Sequence, residues 1–113
     1  MIGTSLALVK EYSSEIEKLY RTERNLEEYI DLLRKEKRTL HDFFTAVLSS
    51  SWRSGKAKEK FQRSVERYMD KFSYRIQMLE ETQVEVIKTR KEVNILHKKA
   101  IIQSSAEIAK GVM

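Results

Sequence analysis

The sequence predicts an all-α protein, an antiparallel two-helix hairpin that assembles into a four-helix or larger bundle. Three observations carry this expectation. The 113 residues contain no proline, and the three glycines, Gly3, Gly55 and Gly111, stand at the start, in one interior break and at the end. Between them nothing interrupts a helix. Both halves carry apolar residues at alternating steps of three and four, the spacing of a helix whose seam packs on another helix. The only interior punctuation is Ser49-Ser50-Ser51-Trp52-Arg53-Ser54-Gly55, and so short a connection favours antiparallel neighbours. The expected organisation is a single domain with a helix over 5–48, a turn over 49–55 and a helix over 56–110.

In the first helix the stripe runs Val9, Tyr12, Ile16, Leu19, Leu26, Ile30, Leu33, Leu40, Phe44 and Val47, with Glu23 and Lys37 as polar occupants. Thr4 or Ser5 can cap its start. At the break, serines lower helix propensity and Gly55 accepts backbone angles closed to other residues. Trp52 reads as a plug over the end of the seam, compatible with exposure to another protein. The second helix repeats the stripe less strictly: Phe61, Val65, Tyr68, Phe72, Leu79, Val86, Val93, Leu96 and Ala100, with a stutter at Tyr68, Phe72 and Ile76. Folding back at the break pairs Phe44 with Phe61, Leu33 with Phe72 and Leu26 with Leu79. The weakly charged end, AIIQSSAEIAKGVM, should overhang the first helix, either frayed or docked on a partner.

Apolar residues remain outside this seam. Met69, Ile76, Val84, Ile87, Ile95 and Ile102 form a flank on the second helix, and Leu8, Tyr20, Tyr29 and Phe43 add to the first. Scattered surface residues are normal, but so many on one flank predict a helical protein partner, a second copy or a different chain.

The composition also excludes classes of chemistry. There is no cysteine, so no disulfide and no thiolate metal site. His41 and His97 are single in their helices, without the i, i+4 spacing of a helical zinc site. No triad, phosphate loop or dinucleotide fingerprint occurs, and the carboxylates pair with cations at helical spacing. The expectation is a protein that is no enzyme and takes no cofactor, metal or small-molecule substrate. No run of 18 apolar residues exists, hence no transmembrane segment is expected, and MIGTSLALVKEY lacks the basic n-region of a secretory signal.

Net charge is +5, unevenly placed. Residues 1–50 carry eight Lys/Arg against nine Asp/Glu, and residues 51–113 fourteen against eight. Arg53, Lys56, Lys58, Lys60 and Arg63 concentrate cations where they oppose the helix dipole. They read as solvated surface, as an electropositive tip for an acidic protein partner, or as a nucleic-acid contact. Glu59 and Glu66 interrupt the run and no aromatics interleave it, so nucleic acid is the least favoured.

These residues resemble a known family. A helical hairpin of about this size with tryptophan and glycine in its turn is similar to the WXG (ESX-like) small proteins of type VII secretion. In that family a small residue follows the glycine by two positions and an aromatic comes four later. Gly55, Ala57 and Phe61 hold those places, with Trp52 three residues before the glycine. The resemblance implies a non-catalytic helical partner or targeting factor for a co-secreted substrate. It implies a chain that is cytoplasmic before export and leaves without a cleavable signal peptide. The Y-x-x-x-D/E export signal of the family does not occur in this sequence. That fits the member of a pair that relies on its partner's signal, or a companion of a larger LXG-type toxin. The other reading is a coiled-coil structural or adaptor subunit unrelated to secretion.

Overall fold

The computed structural model describes the backbone of residues 2–51 and 55–112 and the side chains of 4–49 and 55–111. Every described residue except Gly55 is helical. Helix α1 spans Ile2–Ser51 and helix α2 spans Lys56–Val112. Both helices extend beyond the ranges expected from sequence. Ser5 does not cap α1 but lies inside it, buried. At the other end the Ser49 hydroxyl donates to the Thr45 carbonyl at 2.8 Å, and α1 continues to Ser51. Hydroxyls of Thr22, Thr39, Ser64, Ser73 and Thr82 make the same bond to the carbonyl four residues back. Satisfied in this way, serine and threonine no longer compete with the helix. Helix α1 has 50 residues and α2 has 57, so the excess of α2 is about two turns.

The chain divides into two compact units, each made from part of both helices. One holds residues 26–82. Its core is Ile30, Leu33, Phe72 and Ile76, with Leu40 and Leu79 packed against it. Toward the break the core becomes aromatic. The Phe44 ring meets Phe61 edge-on at 6.1 Å and Tyr68 at 6.5 Å, and Tyr68 in turn lies 5.8 Å from Phe72. The expected approach of Phe44 to Phe61 is therefore present. Edge-to-face pairs of this kind add about 0.5–1.5 kcal/mol beyond the area they bury.

The other unit comprises residues 1–25 and 83–113. Its buried apolar residues are Val93 and Ala100, joined by two serines, Ser5 at 2% and Ser104 at 4% exposure.

On α1 every residue of the expected stripe is buried or half-buried, including Glu23 and Lys37. The stripe of α2 departs from expectation at two points. Tyr68 is half exposed while Met69 turns inward, so the two consecutive steps of four fall at Phe61, Val65 and Met69, about two turns earlier than expected. The tyrosine keeps its ring on Phe44 and Phe72 and its polar end toward water, as an amphipathic side chain does. In the second unit Leu96 is exposed and His97 half-buried in its place. The stripe there reads Gln83, Val86, Arg90, Val93, His97, Ala100 and Ser104, an unbroken alternation of three and four with a polar residue at every seventh position.

Candidate functional site

Gly55 is the N-cap of α2: its carbonyl accepts the Glu59 amide at 3.1 Å. Its φ is +121°, a conformation that side-chain-bearing residues rarely adopt. A Cβ built there would meet nothing within 4 Å, so backbone angle, and not crowding, is what calls for glycine. Ala57 is exposed on the first turn of α2, and Phe61 is half-buried against Phe44. Trp52 and Arg53 lie outside the described residues, and so do the end-plug and tip roles expected of them.

The remaining basic residues of the tip sit on the first turns of α2. Lys56, Lys60 and Arg63 are exposed and Lys58 is half-buried. Lys56, Lys60, Arg63 and Arg67 share a shallow surface depression with Glu59, which pairs with Arg63 at 3.9 Å. Steps of four, three and four put these four cations on one helix face.

The six residues expected to form the partner-binding flank separate into two groups. Ile76 is 7% exposed and belongs to the core. Met69 and Ile87 are half-buried. The stripe of α2 passes through Met69 and Ile76, which the hairpin itself occupies, and Ile87 flanks it next to Val86. Val84, Ile95 and Ile102 are 62%, 54% and 69% exposed. Spaced by eleven and seven residues, they share the face of α2 that points away from the stripe. Lys88, Lys91, Lys98 and Lys99, all exposed, stand beside them. In the unit of residues 26–82 Tyr74 and Met78, which the sequence reading passed over, line a surface depression with Tyr29, and Leu32 and Phe43 are exposed as well.

Arg90 is the functional-looking residue that apolar spacing did not find. Its Nε donates to Glu23 Oε2 at 2.9 Å and its Nη1 to the Tyr20 hydroxyl at 3.1 Å. The guanidinium carbon lies 4.3 Å from the centre of the Tyr20 ring. The Arg90 and Glu23 side chains are only 15% and 22% exposed. An ion pair embedded in a helix seam fixes which residues face each other, much as a buried polar residue does in coiled coils.

A groove of about 680 Å³ runs along one side of the stripe in the unit of residues 26–82. Arg34, Lys37, Arg38 and His41 of α1 form one wall, and Met69, Ser73, Ile76, Gln77 and Glu80 of α2 form the floor and the other wall. Arg34 bonds to Glu80 across it and to Asp31 beside it.

Among the described residues no cluster of His, Asp and Glu could hold a metal ion, and no helix is long and apolar enough to cross a membrane. No protein-family model matches the chain, and neither a curated protein nor a solved structure matches it significantly.

Proposed function

We propose that this protein is a non-catalytic helical partner or targeting factor in type VII secretion, of the WXG-like kind, acting on a co-secreted substrate by helix packing. The observation that carries the reading is the outward face of α2, where Val84, Ile95 and Ile102 are exposed although the seam is already filled. At about 25 cal/mol per Å² of apolar surface, covering three such side chains contributes several kcal/mol to association. Lysines beside them supply the polar rim usual for a protein interface. The left-handed glycine at the break, followed by Ala57 and Phe61, supports the family resemblance. On this reading the chain is cytoplasmic before export and travels with its partner's export signal.

The test is recovery of tagged protein from its own cells with identification of what co-purifies, alongside secretion with and without the type VII ATPase. A helical substrate should co-purify, and its export should fall when this protein is removed. Ile95→Glu/Ile102→Glu should lose the association while circular dichroism stays that of a folded hairpin. A partner whose export is indifferent to this protein would favour the adaptor reading. A strictly monomeric chain that captures nothing would leave neither standing.

A further inference from the structure

We propose that the groove between α1 residues 34–41 and α2 residues 69–80 is the docking site for an acidic amphipathic helix of the partner; this rests on the partner reading above and names the chemistry it selects.

The floor is apolar, from Met69 and Ile76, and the α1 wall is cationic. Not all of that charge is available. Arg34 is neutralised by Glu80 and Asp31. Lys37 and Arg38 differ: neither forms an ion pair among the described residues. Lys37 is also half-buried, at a stripe position where an apolar residue would stabilise the hairpin more. A lysine there gives up apolar burial and gains no internal carboxylate. A carboxylate arriving from outside would complete it.

The dimensions suit a helix. The floor from Met69 to Glu80 extends about three turns, and the groove is open to solvent along one side. A third helix laid in it would place apolar residues over Met69 and Ile76 and carboxylates against Lys37 and Arg38. This is helix-in-groove recognition with charge complementarity setting orientation and partner choice. Nucleic acid suits the groove less well, since no Phe, Tyr or Trp lines it as a stacking platform and Glu80 stands on its rim.

The test uses the full chain and a labelled synthetic peptide of about four helical turns, with leucines in one stripe and glutamates beside it. Controls are the same peptide with lysine for glutamate and a single-stranded oligonucleotide. Fluorescence anisotropy should show the acidic peptide binding, more weakly as salt rises, and the basic peptide not binding. Lys37→Glu/Arg38→Glu should weaken binding about tenfold or more, with Lys37→Gln/Arg38→Gln intermediate. The glutamine pair reports even if charge reversal perturbs folding. No binding by the acidic peptide, equal binding by the basic peptide or the oligonucleotide, or equal affinity in the glutamine variant overturns the proposal. So does sedimentation showing that wild-type self-association fills the groove. Normal partner capture and export by the Lys37/Arg38 variants would also overturn it, while leaving the secretion role intact.

Discussion

Truncating Glu23 to alanine should destabilise the hairpin by about 2 kcal/mol. The estimate follows from the geometry of the pair. Removing one member of a fully buried ion pair costs about 3–5 kcal/mol, because the survivor is stranded without water; an exposed pair contributes about 0–1. Arg90 and Glu23 retain 15% and 22% of their side-chain exposure, which places them between these limits and nearer the buried one. The Tyr20 hydroxyl and ring still hold the stranded guanidinium, which offsets part of the loss. Arg90→Ala should cost a similar amount, and the two losses should not add: a double-mutant cycle in urea should return a coupling of about 1–2 kcal/mol. Replacing both by apolar residues of similar size, Glu23→Leu with Arg90→Met, should be near neutral or stabilising, since two desolvated charges are removed together. Additive single losses, or a double apolar variant as unstable as the singles, would show that the pair behaves as solvated surface.

Two further predictions concern the core and the break. Ile76→Ala should cost about 2–5 kcal/mol by opening a cavity beside Leu33 and Phe72, whereas Ile102→Ala should lie within about 0.5 kcal/mol of wild type for the isolated chain; chemical denaturation of the two variants distinguishes them, and equal losses would refute this placement of the core. Gly55→Ala should cost about 1–3 kcal/mol through backbone strain alone, seen as a lower melting temperature with helicity kept at low temperature; an unchanged melting temperature would mean that the break relaxes to a negative φ.

The hairpin was legible because it rests on period and punctuation. Steps of three and four in α1, the absence of proline and one glycine between long runs leave few other folds. The stripe of α1 was read correctly down to its polar members, since Glu23 and Lys37 fall between strong apolar neighbours that hold the register. In α2 the reading followed apolar character and so moved to Leu96 where the period required His97. The same habit passed over Gln83, Arg90 and Ser104. Spacing of seven, applied without regard to polarity, would have found all four and suggested Arg90 as a partner for Glu23. The flank was mixed for a related reason: Ile76 was counted both in the stripe and in the flank, and it belongs to the core. No periodicity could have located the groove, because its walls come from two different helices.

The column of Gln83, Arg90, His97 and Ser104 bears on how readily this part of the seam opens. Apolar seams separate reluctantly because opening them wets hydrocarbon. A seam with amide, guanidinium, imidazole and hydroxyl groups at every second layer has much less to lose, since water can solvate those groups once they part. The segment 83–104 therefore opens locally at lower cost than a fully apolar seam of the same length. On the proposed reading, these polar layers are where letting go of a client is inexpensive.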